Sequence, residues 1–351
     1  MRIFLTTFFL FTFSVSAYAD FQEAADYSSK AEGIATVVMK DGKVVFEHYI
    51  NGGAQDRKVE LFSGTKSFSG VMAAAAVQDG VLTLDEKVSE TIQEWQEDPA
   101  KRDVTIRQVL SLTSGIDSPR PGRYPTYADA VRLGMEAKPG EHFEYAPGNF
   151  QIFGEVMQRK LSAKMGGQYK NPVAYLQARV LDPLNIKPKN WDVGKDNMPI
   201  LSMGADVSAL EWARFGQFVL QGGQWKGKQL IDKQALEECF VGSEVNPAYG
   251  LTWWLNKTPS MHVLNKSLVM RRSTDLYAIN KAKGLPTDMR MAAGHRNQRL
   301  YVIPSLNLVI VRLTDGERQG MVKRWGKKKG YEVEQTEVFM DTTFLRKALN
   351  L

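Results

Sequence analysis

The sequence predicts a mixed α/β (α+β) fold, in which an antiparallel sheet is flanked by helices and carries an inserted, mainly helical lobe. Segments rich in β-forming residues lie near both ends of the chain, and helical periodicity dominates between them. Strands far apart in sequence most simply join one sheet, which leaves the helical segment as an insertion. We predict the α/β lobe over about residues 30–80 and 245–351, the helical lobe over about residues 81–244, and a cleft between them.

The first 19 residues have the features of a signal peptide. Arg2 precedes an apolar run that is too short for a stable membrane span, and the sequence AYA at positions 17–19 resembles a cleavage site. We expect cleavage before Asp20. The remaining domain, residues 20–351, is then expected to be periplasmic or secreted, without stable membrane insertion.

The first predicted elements are a β-hairpin and a buried helix. Residues 34–50 contain two β-rich runs around Asp41-Gly42, a pair typical of a hairpin turn. From Lys66 to Gln78, small and apolar residues recur at helical spacing, and an Asp-Gly pair ends the pattern. The residues just before Lys66 are therefore expected to form the first turn of a buried helix.

The later elements follow from periodicity, capping residues and glycine stops. Residues 115–148 contain many prolines and glycines and are predicted to form a long irregular segment, which in compact domains is often functional. The other predicted elements are a turn and helix over residues 81–92, helices over 103–116, 150–165, 172–182, 208–221 and 338–349, a strand over 249–256, and a pair of strands over 300–313.

Composition and charge exclude several classes of protein. The hydrophobic fraction of 43% and charged fraction of 24% are ordinary for a globular protein. A single cysteine, Cys239, excludes an internal disulfide. Much of the net charge of +6 comes from the basic run at residues 323–329, which we expect to be a solvated loop. Exported proteins rarely meet nucleic acid, so we expect no nucleic-acid partner.

A serine and a lysine three residues apart, Ser63 and Lys66, begin the predicted buried helix. Such residues are neighbours on a helix, so the lysine amine can hydrogen-bond the serine hydroxyl. Burial lowers the pKa of a lysine and makes it a base, and the N–H groups of the first helical turn can bind an oxyanion. The motif on its own is weak, because a chain of this length should contain roughly one copy by chance.

Six segments in order resemble the serine hydrolases of the β-lactamase-related family, which includes class C β-lactamases, DD-peptidases, esterases and 6-aminohexanoate-dimer hydrolases. The resemblance covers about residues 30–315. It implies the β-lactamase/transpeptidase-like fold, with Ser63 as the acylated nucleophile and Lys66 as its base. The segments are LFSGTKSFSGV, VTIRQVLSLTSGI, PGEHFEYAPGNFQIFGEVM, MGADVSALEWARFGQFVLQGGQWKGKQLI, YGLTWWL and AAGHRNQRLYVIPSLNLVIV.

The resemblance also implies a catalytic tyrosine, which FEYAPGNF supplies as Tyr145. A phenol beside a lysine ammonium can be partly ionised and can relay a proton to the leaving group. Pro147 stands where the family usually has an asparagine that helps to hold substrate. Asn149 is the nearby candidate for substrate binding. The tryptophan pair at 253–254 is expected to pack within a strand, from which one ring could line the cleft.

The family's lysine-containing K-T-G motif is absent, and the matching region is MRMAAGHRNQ, residues 289–298. It resembles the G-x-x-G-Q of the amide and ester hydrolases. Without the K-T-G lysine, which meets the substrate carboxylate, β-lactams and D-Ala-D-Ala ends are not expected as substrates. Gly294, His295 and Arg296 are the substrate-binding candidates here. His295 or Arg296 could supply the missing cation, and the alternative for His295 is a residue of the turn. A backbone N–H of this strand should complete the oxyanion hole.

Together these features predict an exported serine hydrolase that cleaves a small ester or amide through an acyl-enzyme on Ser63. Lys66 and Tyr145 form its proton shuttle. We expect neither a metal nor a cofactor, since HExxH, P-loop and GxGxxG motifs are absent. Cell-wall fragments are a second class of partner. The alternatives are a DD-peptidase of the same fold and a binding protein that kept the fold but lost turnover.

Overall fold

The computed structural model describes residues 16–119, 122–260, 284–315 and 338–351, and of residues 16–20 it describes the backbone alone. The predicted signal-peptide residues before Ser16, the basic run at 323–329 and most of the 256–290 segment lie outside these ranges. The helices are α1 Ser16–Lys30, α2 Lys66–Gln78, α3 Ile106–Leu110, α4 Tyr127–Val131, α5 Gly148–Met165, α6 Pro172–Leu176, α7 Ala209–Leu220, α8 Lys233–Glu237 and α9 Asp341–Leu349.

Strands from both ends of the chain form one antiparallel sheet, as the sequence predicts. Its order is β2-β1-β10-β9-β8-β7, and every pairing in it is antiparallel. Its strands are β1 Gly33–Lys40, β2 Lys43–Tyr49, β7 Trp254–Leu255, β8 Arg290–Gly294, β9 Gln298–Ile303 and β10 Leu308–Thr314. Two small ribbons pair β3 Val59–Glu60 with β4 Asp206–Val207, and β5 Gln224–Trp225 with β6 Lys228–Gln229.

Helices cover both faces of the sheet. Successive strand residues point to opposite faces. Leu300 and Val302 of β9 lie against Gly216 of α7, whereas Arg299 and Tyr301 of the same strand bond to Asp341 of α9. Because both faces are covered, every residue of β9 and β10 is buried.

The predicted hairpin is present. Asp41 and Gly42 join β1 to β2, with φ of 51° and 78°, the left-handed values that a two-residue hairpin turn of this type needs at both positions. The predicted pair of strands around Pro304 is likewise present, since a short 3-10 turn, Pro304–Leu306, joins β9 to β10.

Three predicted elements are much shorter than expected, one of them the helix predicted over 103–116, which spans only Ile106–Leu110. Only Trp254–Leu255 of the predicted strand 249–256 pairs with the sheet. Thr252 has a φ of 72° and accepts a hydrogen bond from the backbone N–H of Gly70 in α2 (3.1 Å), so the chain turns here instead of extending. The helix predicted within residues 81–92 is a single 3-10 turn, Val88–Glu90.

The membrane expectation concerns residues that the structure leaves largely undescribed. Within the described ranges, no helix combines the length and the apolar character needed to cross a bilayer. α1 begins at Ser16 and so runs through the predicted cleavage point before Asp20.

Candidate active site

Ser63 lies in a 3-10 turn, Phe62–Thr65, that runs directly into α2. The turn is attached to the segment around Ala205 at both ends. The N–H of Leu61 donates to the Ala205 carbonyl (2.9 Å), and the Ala205 N–H donates to the Thr65 hydroxyl (3.2 Å). Phe62 has a φ of 50°, a left-handed conformation that is uncommon for a bulky residue. Its position beside Ser63 is typical of functional sites, where backbone strain is often found.

Lys66 is close enough to Ser63 to exchange a proton with it. The amine donates hydrogen bonds to the Ser63 hydroxyl (Nζ to Oγ 3.0 Å) and to the carbonyl oxygen of Ser202 (2.8 Å). Lys66 is 6% exposed. The Ser202 carbonyl lies in the segment that leads into β4, so a contact with the helical lobe fixes the direction of the lysine side chain.

Burial lowers the pKa of Lys66 to about 7. The amine forms its hydrogen bonds with neutral oxygen atoms, and the aromatic rings of Tyr145 and Phe150 lie 4.9 and 5.1 Å from Nζ. None of these groups carries the negative charge that would offset the loss of solvation. Lys66 is therefore largely neutral just above neutral pH, as a base must be.

Tyr145 is brought to the same place from the long segment before α5. Its ring centroid lies 4.9 Å from the Lys66 amine, and its ring stacks on Trp254 with centroids 5.4 Å apart. Burial raises the pKa of Tyr145 to about 12, although Ser63 and Arg299 oppose the rise. The expectation of a partly ionised phenol was wrong, since a neutral Lys66 offers no ammonium to stabilise a phenolate. Tyr145 is therefore a neutral phenol at neutral pH.

These residues open onto a cavity of about 580 Å³ between the end of β8 and the segment before α5. Ser63, Tyr145, Gly294, His295 and Arg296, all predicted as site residues, line it together. Among the described residues that line it, none has a carboxylate side chain. The others are Phe62, Gly122, Tyr124, Met203, Trp254, Ala293, Asn297 and Arg299.

Asn149, the remaining predicted substrate-binding residue, lies away from the cavity. It is 2% exposed, and its side-chain oxygen accepts a hydrogen bond from the hydroxyl of Ser114 (2.5 Å). Its place in the first turn of α5 points it into the helical lobe.

The end of β8 lies against the Phe62–Thr65 turn, the nucleophile turn (named for the predicted role of Ser63), because β8 ends in a glycine. A Cβ on Gly294 would be 1.9 Å from the carbonyl oxygen of Leu61, a distance that real Cβ atoms do not show. Only a residue without a side chain lets the strand approach this closely. Gly294 therefore brings the backbone of the next residues to Ser63.

His295 and Arg296 differ in the charge that they offer to the cavity. The His295 ring meets the Phe62 ring edge-on at 5.5 Å, and burial and the charge of Arg296 lower the pKa of the imidazole. The histidine is thus neutral at neutral pH. Arg296 is the cationic residue of the two, and among the described residues no carboxylate forms a salt bridge with it.

Sequence reasoning did not identify Arg299, Tyr124 or Met203 as residues of the site. Arg299 is 5% exposed and follows Gln298 on β9. An arginine beside the hydrophobic run Leu300–Ile303 of this strand was the available signal, since buried charges require partners. Nothing in the local sequence distinguishes Tyr124 or Met203 from other loop residues.

Within the described ranges, a single group of side chains could hold a metal ion: Glu136, His142 and Glu144. Nε2 of His142 is 3.7 Å from Oε2 of Glu144. The group lies at the surface and is not among the residues that line the cavity. We assign it no part in the reaction.

Comparisons with known proteins agree with this geometry. A family model described as Beta-lactamase matches residues 19–328. Protein flp of Staphylococcus aureus is 28% identical over 146 residues, which cover 36% of this chain and 29% of that protein, so the match spans less than a third of the relative's length.

Two solved structures share the fold. One is a beta-lactamase/D-alanine carboxypeptidase from Pseudomonas syringae, with a TM-score of 0.64 and 15% identity over 96% of this chain and 99% of that one. The other is EstCE1, described as a hydrolase with promiscuous acyltransferase activity, with a TM-score of 0.65 and 14% identity over the same shares, 96% and 99%. At such identities the likeness concerns the fold alone.

Proposed function

The chain belongs to the Beta-lactamase family, and from this premise we propose that it is an exported serine hydrolase which cleaves a small ester or amide through an acyl-enzyme on Ser63. The observation that carries the proposal is the distance of 3.0 Å between the Lys66 amine and the Ser63 hydroxyl, with Lys66 buried. An ordinary surface lysine would be protonated at neutral pH and could not act as a base.

Acylation starts when neutral Lys66 takes the proton of the Ser63 hydroxyl. Oγ then attacks the carbonyl carbon of the substrate, and negative charge develops on the carbonyl oxygen. The N–H of Ser63, in the first turn before α2, is one donor to this oxyanion, and the N–H of His295 at the end of β8 is the second. Donors of this kind, held in place before the reaction, are typically the largest single contribution to catalysis.

Tyr145 is the proton donor for the leaving group in this proposal. Its neutral hydroxyl donates a proton to the departing oxygen or nitrogen, and the Lys66 ammonium returns a proton to Tyr145. The acyl group is then bonded to Ser63 Oγ, and Lys66 is again neutral. A water molecule hydrolyses the acyl-enzyme by the same proton transfers in reverse order. The place of Tyr145, in the same cavity as Ser63 and with its ring centroid 4.9 Å from the Lys66 amine, supports this role.

The lining of the cavity suggests the chemical class of the substrate. Tyr124, Trp254 and Met203 offer apolar and aromatic surface. Arg296 contributes a positive charge, and none of the described residues in the lining offers a carboxylate to neutralise it. We propose a small ester or amide with an apolar part and a carboxylate, and with Arg296, rather than the neutral His295, in the place of the absent lysine.

A fluorophosphonate probe tests the proposed function directly, with intact-mass spectrometry as the readout. We expect one adduct on the wild type, none on Ser63→Ala, and much slower labelling of Lys66→Ala. Ser162→Ala is the matched control, because Ser162 is an exposed serine in α5. It should label at the wild-type rate. A folded wild type that acquires no adduct would overturn the hydrolase and favour a binding protein.

Export is tested separately. The full chain is expressed in a Gram-negative host, and the mass of the protein in the periplasm and medium is measured. We expect a chain that starts at Asp20. A cytoplasmic product that keeps residues 1–19 would contradict export and would leave the proposed reaction untouched.

A further inference from the structure

The turn between β8 and β9, which lines the cavity, is held in place by hydrogen bonds that Arg299 donates to it. Arg296 and Asn297 in this turn both have left-handed φ values, 58° and 64°. Such a turn is strained for non-glycine residues and persists only when its surroundings fix it. Arg299 Nη1 donates to the carbonyl oxygens of Gly294 (3.0 Å) and Gln298 (3.1 Å), and Nη2 reaches the side chain of Asn297 (3.3 Å).

Arg299 is in turn fixed by Asp341, the first residue of α9. Arg299 Nε and Nη2 donate to the two carboxylate oxygens of Asp341 (2.7 and 3.1 Å), and the Tyr301 hydroxyl bonds to the same carboxylate. Arg299 and Asp341 are 5% and 1% exposed. A buried fork-to-carboxylate pair has one favoured geometry, so it holds the guanidinium in a defined place.

The bond to the Gly294 carbonyl has a consequence for the next N–H group. In a trans peptide the carbonyl and the N–H point in opposite directions, and all described peptide bonds are trans. Arg299 holds the Gly294 carbonyl on its own side of the turn. The N–H of His295, across the same peptide bond, is therefore directed away from the guanidinium.

We infer that Arg299 and Asp341 are positioning residues, whose buried pair orients the Gly294–His295 peptide so that its N–H can stabilise the oxyanion formed at Ser63. The inference rests on the proposed function. It connects α9, at the far end of the chain, to the reaction centre through one side chain. Neither residue is required to touch the substrate for this role.

The decisive variant is Arg299→Met with Asp341→Asn. It removes both buried charges together, which is often neutral for stability, and the asparagine oxygen still accepts the Tyr301 hydroxyl. The Gly294 carbonyl loses its donor. We expect the fluorophosphonate labelling rate per site to fall about 10- to 100-fold, where only molecules that can eventually be labelled are counted as sites. A small misplacement of a catalytic group typically lowers a rate by such a factor. In ester hydrolysis kcat should fall by a similar factor, with KM little changed.

A matched pair elsewhere in the molecule provides the control. Arg179 Nε and Nη2 donate to both oxygens of Asp79 (2.7 and 2.8 Å), and the Tyr175 hydroxyl donates to the same carboxylate (2.8 Å). This group reproduces the bonding around Asp341 but does not line the cavity. The double variant Arg179→Met with Asp79→Asn should keep the wild-type rate per site.

A boronic acid separates positioning from stability. Its tetrahedral adduct on Ser63 places an oxygen in the oxyanion position, so its binding should weaken about 10-fold or more in the decisive variant. If that variant fails to fold, Arg299→Lys is used, which keeps a positive charge near Asp341 and loses the fork. Per-site labelling within twofold of the wild type, or equal losses in the control, would overturn the inference. An unlabelled wild type would instead overturn the proposed function, and this inference with it.

Discussion

At the scale of single residues, the site depends on a lysine whose charge the protein does not stabilise. Lys66 is surrounded by neutral groups, two of them aromatic. A shift of one pKa unit corresponds to about 1.4 kcal/mol. Burying this amine therefore destabilises the folded state substantially. Proteins accept such losses at functional sites, which is why a strongly shifted pKa beside a nucleophile indicates chemistry.

The pKa of Lys66 makes a prediction about pH. Only the neutral amine can accept the Ser63 proton, so the labelling rate should rise about tenfold per unit below pH 7 and level off above pH 8, since this pKa is about 7. The measurement is the rate of fluorophosphonate labelling between pH 5.5 and 9, with circular dichroism to confirm folding at each pH. A rate that does not change between pH 6 and 8 would show that Lys66 is not the base.

Tyr145 makes a second prediction, which depends on the leaving group. Tyr145→Phe keeps the ring stacked on Trp254 and removes the proton donor. Hydrolysis of an amide or alkyl ester should fall about 10²- to 10⁴-fold. Hydrolysis of a p-nitrophenyl ester should fall much less, because its leaving group needs no proton. Equal losses for the two kinds of substrate would contradict the assignment of Tyr145 as the acid.

At the scale of elements, the site is built where three chain segments meet. The turn before α2 supplies Ser63, the segment before α5 supplies Tyr145, and the end of β8 supplies the backbone opposite them. Thr252 and the residues after it turn sharply against α2 and place Trp254 under Tyr145. The shortened β7 is thus part of the site, because a longer strand would carry Trp254 elsewhere.

The approach of β8 to the nucleophile turn predicts the effect of a single methyl group. Gly294→Ala puts a Cβ against the Leu61 carbonyl, so the strand and the turn must separate. We expect per-site labelling to fall about 100-fold. The measurement is the labelling rate at a temperature where the variant is folded. Gly134→Ala is the control, because Gly134 is exposed and has open space where the methyl would lie. Wild-type labelling of Gly294→Ala would argue against the tight contact.

At the scale of the whole molecule, the two predicted lobes are joined at the site. β3, just before the nucleophile turn, pairs with β4 of the predicted helical lobe. The Lys66 amine bonds to Ser202 in that same lobe. The sheet itself joins the two ends of the chain, since β1 pairs with β10.

This arrangement predicts one cooperative unfolding transition, although the lobe boundaries themselves remain a prediction. Tryptophan fluorescence, circular dichroism and loss of fluorophosphonate labelling should give the same midpoint in urea. Labelling is the most sensitive reporter, because both lobes contribute to the site. Loss of labelling well before the loss of secondary structure would mean that the lobes separate while each remains folded.

The sequence by itself determined the class of the fold, the hairpin and the strands around Pro304, and it pointed to Ser63, Lys66 and Tyr145 as candidate site residues. These depend on local signals: turn residues, periodicity, and motifs in a fixed order. The family was predicted from six such segments and is confirmed. Local signals do not report which face of an element is buried. Asn149 was therefore expected at the substrate, and its side chain bonds to Ser114 instead.

Only the tertiary structure decided the electrostatics and the support of the site. The pKa values of Lys66 and Tyr145 depend on how completely distant segments exclude water from them. The contact between Arg299 and Asp341 joins residues 42 positions apart, and no local sequence pattern predicts it. Desolvation and long-range pairing arise from the packing of the whole chain. The sequence could therefore supply the candidate reacting groups, whereas their burial and the contacts that orient them depend on the tertiary structure.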